Sequence, residues 1–248
     1  MSKKINPILG WTLSILFWLI LWEIFARIID FSFIIPTATE TILTFCNLLF
    51  TKSFIKSIFF SLLRIAAGYI LGLVCGVSLG LLTHKYNVAK WLTTPLMVLT
   101  RATPVASFIM ILWFLLSGGM IPIIIGLLMV LPVIWQSTKD GLDNISQELI
   151  EVSQIFGFSF KKRMRLLVFP SLKSFLFPAV ITSSGLAWKA GIAAEIITYT
   201  KNSIGEQIKN SKDTFEGAYL FAWTLSVIIL SVIIELVIKK LLTGTRKS

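Results

Sequence analysis

Charged residues are scarce in this sequence, and their scarcity decides which solvent the chain can fold in. Of its 248 residues only 14% are charged and 56% are hydrophobic, and the mean hydropathy is +0.85. Soluble domains carry about 25% charged residues, so this chain has too little polar surface to cover a globule in water. The composition therefore predicts a multi-pass protein of the cell membrane.

Residues that build metal sites, disulfides and hydrolytic centres are also rare. Cys46 and Cys75 stand alone, without CxxC or Cys/His spacing, so they indicate neither a disulfide framework nor a zinc site. We interpret both as packing residues, and His84, the single histidine, as a loop residue beside lipid headgroups. No glycine-rich phosphate loop, HExxH or GxSxG motif occurs. We predict no catalytic residue, metal or cofactor, and no ATP hydrolysis by this chain itself.

Negative charge is in short supply too, which leaves a net charge of +11. An excess of this size is common among nucleic-acid-binding proteins, but the basic residues here occur in short clusters between long apolar runs. Such clusters are typical of loops beside anionic headgroups on the cytoplasmic side of a membrane. We therefore expect no nucleic-acid partner.

Long apolar runs are what the sequence has in quantity, and a helix needs about 20 apolar residues to cross a bilayer. Six segments predict spanning helices: 9–29, 58–82, 93–116, 121–138, 174–198 and 218–238. Pro95 and Pro104 interrupt the start of the third. We read the first segment as a retained span, because it is too long for a signal peptide and no cleavage site follows it.

Lysine and arginine are distributed unequally between the two sides that these spans define. With the N-terminus inside, the inner segments hold Lys3, Lys4, Lys85, Lys90, Arg101, Lys139, Lys161, Lys162, Arg163, Arg165, Lys173, Lys239, Lys240, Arg246 and Lys247. The outer segments hold Arg27, Lys52, Lys56, Arg64, Lys201, Lys209 and Lys212. Because the cytoplasmic side carries the basic excess, the pattern predicts both termini in the cytoplasm.

Two loops are longer than simple connections. The outer loop, 30–57, is predicted to hold a strand and then a short amphipathic helix, 39–49, capped by Thr37 or Thr39. The inner loop, 139–172, is the most polar stretch of the chain. We predict a first unit at 1–56, a transmembrane domain at 57–242 and a cytoplasmic tail at 243–248.

Four glycines of the second span share one helix face. They recur at every fourth position: Gly68, Gly72, Gly76 and Gly80. In membranes such stripes let helix backbones approach closely. The stripe is either a static packing surface or a face that slides during transport.

The inner loop reads as two short amphipathic helices separated by Gly157. The first carries Glu148 and Glu151 among apolar residues, and the second carries a basic run from Lys161 to Arg165. A glycine suits the left-handed end of a helix, and Pro170 suits the first turn of the next.

This loop resembles the EAA signature of ABC-importer permeases, in which Glu-Ala-Ala, three residues, Gly, nine residues and Ile-x-Leu-Pro follow one another. Glu151, Gly157 and Pro170 fall in register with it, while Val152 and Ser153 replace the two alanines. Leu167 and Phe169 replace the isoleucine and leucine. Three further stretches look like the nitrate/sulfonate/taurine branch of these permeases: Thr103-Pro104-Val-Ala-Ser107 before Trp113-Phe114, the stretch 185–197, and Ser203-Ile-Gly-Glu206. The resemblance covers about 57–242.

The resemblance implies an all-α type I ABC-importer permease fold of six transmembrane helices. It also implies a loop that docks on a cytoplasmic ABC ATPase subunit through the residues Glu148, Glu151, Ser153, Phe156, Gly157, Phe158 and Pro170. The other implied partners are an extracytoplasmic substrate-binding protein and a second permease subunit, identical or similar. The cargo of such systems is a small solute, mostly anionic or a vitamin or pyrimidine precursor. The competing interpretation of the loop is an amphipathic segment lying on the membrane surface.

The fifth span contains Lys189 and Glu195, which are costly inside a bilayer unless paired or solvated. We predict that Trp188, Lys189 and Glu195 line the translocation path, where Lys189 would attract an anion; the alternative is a structural ion pair with another span. The main alternative for the whole chain is a secondary transporter driven by an ion gradient. That class typically carries several intramembrane carboxylates or broken helices.

Overall fold

A computed structural model describes residues 7–244, and within that range the chain is α-helical without strands. Lys3, Lys4, Arg246 and Lys247, and most of the predicted tail, lie outside the described residues. The helices are α1 (Pro7–Ile29), α2 (Ala38–Leu48), α3 (Lys52–Lys85), α4 (Asn87–Ala102), α5 (Val105–Leu115), α6 (Ile121–Asp143), α7 (Gln147–Ile155), α8 (Phe160–Arg163), α9 (Phe169–Thr198), α10 (Ile204–Asp213) and α11 (Gly217–Gly244). A π-helical segment, Met164–Val168, joins α8 to α9.

Within residues 7–244, five helical segments are long and apolar enough to cross a bilayer, so the predicted all-α membrane architecture is confirmed. They are α1, α3, α6, the stretch Phe160–Thr198 that ends in α9, and α11. The third predicted span, 93–116, corresponds to α4 and α5, which qualify only when taken together.

The third predicted span is not one continuous helix. α4 and α5 are bent by 105° at the break between them. Thr103 there has an extended backbone, with ψ of 130°, because the ring of Pro104 disfavours the helical conformation in the residue before it. Pro95, in contrast, lies inside α4. The prediction treated both prolines as irregularities at the start of one span, and Pro104 instead divides it.

The connection between α1 and α3, predicted to be an outer loop, holds a helix but no strand. Turns, with Asp30 in the left-handed region at φ 49°, occupy the place of the predicted strand. α2 begins after Thr37, whose hydroxyl accepts a hydrogen bond from the Glu40 amide while the Glu40 carboxylate accepts one from the Thr37 amide. α3 begins at Lys52, so the boundary predicted at 56 and 57 falls inside this helix.

The centre of the bundle is formed by α3 and α9 packing against α6. The glycine stripe of α3 is buried and faces α6: Gly68, Gly72, Gly76 and Gly80. A Cβ at Gly68 would overlap the carbonyl oxygen of Ile123, and one at Gly72 would lie 2.6 Å from Cβ of Val130. The two backbones are therefore closer than any larger residue would allow.

α1 stands apart from this centre. Only 6% of its spanning window is buried, and large apolar side chains such as Trp11 (74% exposed) and Phe17 (60% exposed) project outward. Its end is tied down by Trp22, whose Nε1 donates to the carbonyl of Pro36 at 3.1 Å. Lipid tails are the natural covering of such a surface.

Candidate functional site

The loop between α6 and α9 is built from two capped helices. Ser146 caps α7 by accepting a hydrogen bond from the Leu149 amide at 3.3 Å. At the other end Gly157 has φ +58°, the Phe158 amide donates to the Ser153 carbonyl at 2.9 Å, and the Gly157 amide donates to the carbonyl of residue 154 at 3.0 Å. This pair of bonds is the Schellman ending that a glycine permits.

The second half of the loop turns the chain back toward the membrane. Ser159 caps the single turn of α8 through the Lys162 amide at 3.4 Å. The π-helical segment follows, and α9 then begins at Phe169 with Pro170 in its first turn. Pro170 has no amide to donate, and it stands directly after the π-helical segment, where the regular α-helical bonding pattern is already interrupted.

The predicted loop residues divide into one inward and several outward side chains. Ser153 is buried and its hydroxyl donates to the Ile150 carbonyl at 2.7 Å. Glu148, Glu151, Gly157 and Pro170 are exposed. Phe156 is 72% exposed. Phe158 is half-buried beneath the Lys162 ammonium, which lies 4.0 Å from the ring centroid.

Apolar side chains form a continuous outward face around Phe156. Leu149 is 50% exposed, Val152 43% and Ile155 80%. These three were recognised in the sequence only as the apolar side of a helix and were not selected as site residues. A cluster of exposed large apolar groups marks a surface that meets another protein or a membrane.

The three residues singled out in the fifth span do not converge. Trp188 is buried and its Nε1 donates to the Val227 carbonyl at 3.0 Å. Glu195 is fully buried. Lys189 lies on the exposed face of α9 instead. One helix therefore sends two of these side chains into the bundle and one away from it.

Glu195 joins α9 to α3 and α10. Its Oε2 accepts hydrogen bonds from Ser61 Oγ at 2.7 Å and from the Gly205 amide at 3.3 Å, while Oε1 lies 3.7 Å from Nη1 of Arg64. Ser61 Oγ also accepts from the Ile204 amide at 2.9 Å. A carboxylate suits this place because the amino end of α10 carries partial positive charge.

Arg64, which the sequence analysis counted among the cations of the outer side, lies in α3 and holds the turn between α9 and α10. Its guanidinium donates to the carbonyls of Lys201 at 3.0 Å and Asn202 at 3.4 Å. Its partnership with Glu195 joins residues far apart in sequence, which no local pattern reveals. Glu195 therefore forms an ion pair with another span, through Arg64 of α3, which was one of the two roles considered for it.

The turn after α9 is also held by Tyr199 and Asp213. The Tyr199 hydroxyl donates a hydrogen bond to Oδ2 of Asp213. This bond lowers the pKa of Asp213 below its usual value and raises the pKa of Tyr199. Both shifts favour the pair as it stands, a phenol donating to a carboxylate.

The exposed face of α9 is unlike the lipid-facing surfaces of α1 and α3. Its exposed positions recur every three or four residues and are mostly small or polar: Ser174, Pro178, Thr182, Leu186 and Lys189. Next to them, a Cβ at Gly185 would meet nothing within 4 Å. A lysine facing hydrocarbon is costly, so this face fits water or a second subunit better than lipid.

Two basic residues lie elsewhere than predicted. Arg101 was assigned to a cytoplasmic segment, but it ends α4 and its Nη2 donates to the carbonyl of Pro132, near the middle of α6, at 2.5 Å. It is therefore an exposed cation within the bundle's span. His84 is in the last turn of α3, not in a loop, and its Nδ1 lies 3.0 Å from Oδ1 of Asp143.

Ligands for a metal do not cluster in the part of the chain that the structure describes. Among residues 7–244 no group of three or more His, Cys, Asp or Glu side chains is placed to hold a metal ion. Cys46 and Cys75 are both free thiols. The candidate site consists of the exposed apolar surface of the loop between α6 and α9 and of the cations Lys189 and Arg101 on the spanning helices.

Comparison with known proteins gives a consistent set of matches. A family model described as "Binding-protein-dependent transport system inner membrane component" matches residues 68–247. A putative aliphatic sulfonates transport permease protein of Bacillus subtilis is 23% identical over 76% of this chain and 71% of its own length. A bicarbonate transport system permease protein of Synechocystis is 29% identical over 55% of this chain and 49% of its own. A nitrate import permease protein of Leptolyngbya laminosa is 26% identical over 56% and 50%.

Proposed function

Because the chain belongs to the family of binding-protein-dependent transport system inner membrane components, we propose that it forms the translocation path of an ABC importer powered by a separate ATPase subunit. Membership makes it a multi-pass membrane component of a transporter rather than an enzyme. The predicted resemblance to binding-protein-dependent ABC permeases is confirmed.

The observation that carries the proposal is the outward apolar face of α7. Phe156 and Ile155 are 72% and 80% exposed on a loop whose backbone is fixed by caps at both ends. A rigid apolar protrusion outside the bilayer is suited to insertion into a pocket of another protein. With that loop in the cytoplasm, as the basic excess predicts, the partner is the ATPase subunit, and movement of the loop reaches the membrane through α6 and α9.

Lys189 and Arg101 support a path for anions. Both are exposed cations on spanning segments, and the break that follows Arg101 lies against α9, since Val105 packs in the same apolar cluster as Ala190. The small, polar face of α9 then lines water between this chain and a second permease subunit. Relatives named for sulfonates, bicarbonate and nitrate favour a small anion as cargo, delivered by an extracytoplasmic binding protein.

Uptake by cells that carry the intact operon tests the proposed function as a whole. Vanadate, which traps ABC ATPases, is expected to stop uptake of the cognate solute, while ionophores that collapse ion gradients are expected to leave its initial rate unchanged. The measurement is the initial rate of labelled solute entry with each inhibitor at constant ATP. Inhibition by ionophores together with resistance to vanadate would favour the ion-gradient transporter instead.

Lys189→Met tests the path. We expect uptake of an anionic solute to fall about tenfold, the effect of losing roughly 1.4 kcal/mol of attraction, because the substitution removes the ammonium but keeps a side chain of similar length. Lys201→Met, an exposed lysine just beyond α9, is the matched control and should retain uptake. Unchanged uptake by Lys189→Met at normal expression would remove this lysine from the path.

A further inference from the structure

A cavity lies where the loop between α6 and α9 joins the spanning helices. Its volume is about 610 Å³. It is lined by the ends of α3 and α6, by α7 and α8, and by the π-helical segment: Leu81, His84, Lys85, Leu142, Ile145, Ile150, Phe160, Arg163, Met164, Leu167 and Val168. Because α3 and α6 end here, the cavity is at the level where the chain leaves the bilayer.

The walls of this cavity carry more positive than negative charge. Lys85 and Arg163 both line it, and neither forms an ion pair with a carboxylate within residues 7–244. Asp143, which follows the lining residue Leu142, is paired with His84 at 3.0 Å. An anion entering the cavity would therefore meet two cations that lack a counterion in the described chain.

Arg163 also has a buried donor without a partner. Its Nε has no hydrogen-bond acceptor in the described chain. Buried polar donors are nearly always paired, and a guanidinium presents its donors in a fork that matches phosphate oxygens. Arg163 therefore brings both an unpaired charge and an unpartnered donor to the wall of this cavity.

The rest of the cavity is apolar. Leu81, Ile150 and Leu167 belong to this part of the lining. A free inorganic anion would leave such surface in contact with water, whereas a lipid fills it with the first carbons of its acyl chains. We propose that the cavity binds the phosphodiester headgroup of an anionic phospholipid of the adjoining leaflet, with Lys85 and Arg163 as its anchors.

Such a lipid would hold the base of the loop against the membrane surface. The inference rests on the orientation in the proposed function, because anionic lipids concentrate in the cytoplasmic leaflet. It does not require the ATPase or transport, so it is tested on the full chain alone.

The test is native mass spectrometry of the full chain purified with equal amounts of phosphatidylglycerol and phosphatidylcholine. We expect wild-type protein to retain phosphatidylglycerol preferentially, and the double variant Lys85→Gln/Arg163→Gln to lose about tenfold or more of that preference, since it removes the two charge-assisted contacts that anchor the phosphodiester. The matched control is Lys161→Gln/Lys162→Gln, which removes the same charge from the same loop but outside the cavity. It should change the preference less than twofold.

Three results would overturn the proposal. An equal loss in both double variants would mean diffuse attraction to the whole basic loop, without a site. Stabilisation by inorganic phosphate in phosphatidylcholine nanodiscs as large as that by phosphatidylglycerol would identify a free anion as the ligand. Absence of any preference in wild-type protein would leave the cavity to a protein partner.

Discussion

Phe156→Ser is expected to abolish most ATP-driven uptake while leaving the chain folded in the membrane. The side chain is 72% exposed, so its removal costs the isolated permease little packing. In a docked complex an aromatic anchor typically contributes about 2 kcal/mol or more, roughly a thirtyfold change in Kd. Co-purification of the ATPase subunit with the tagged permease, and solute uptake, should fall together.

Phe50→Ser is the matched control for this loss. Phe50 is 88% exposed in the turn between α2 and α3, at the opposite end of α3 from the loop. It should leave ATPase association unchanged. If Phe156→Ser retained both association and uptake, the outward face of α7 would not be the coupling surface, and the interpretation as a segment resting on the membrane would gain support.

Gly68→Ala is expected to give the largest loss of stability among single-methyl additions in this chain. The added Cβ would overlap the carbonyl oxygen of Ile123, and a backbone atom cannot yield as a side chain does. Overpacking typically costs about 1–3 kcal/mol, and a rigid backbone neighbour places this variant at the upper end of that range. The thermal midpoint in detergent and the yield of folded protein should both drop.

Gly185→Ala is the matched control, because it adds the same methyl group to another spanning helix. A Cβ there meets nothing within 4 Å. Replacing a helical glycine by alanine gains about 0.5–1 kcal/mol when space allows, so this variant should match or exceed the wild type. Equal stability of the two variants would show that α3 and α6 are not in tight backbone contact.

The spans that follow from length and apolarity alone were predictable. A continuous run such as Leu9–Ile29 has no alternative in a bilayer, where every backbone group must bond within its own helix. The sequence shows Pro104 but does not show that the chain bends by 105° there. The angle depends on how α5 packs against α6 and α9.

The candidate site could likewise be predicted only where local backbone preferences determine it. Gly157 and Pro170 identify the loop in the sequence because their backbone preferences act within a few residues. The partnership of Arg64 with Glu195, and the reach of Arg101 to Pro132, join separate helices. Sequence spacing carries no record of such contacts, so these cations could be assigned only to a side of the membrane and not to a partner.

The isolation of α1 bears on how the protein is made. α1 can insert into lipid without a helical partner, because almost none of its spanning window is buried against other helices. The other helices can pack beside it afterwards, and the hydrogen bond from Trp22 to the Pro36 carbonyl is one of the few contacts that hold its end.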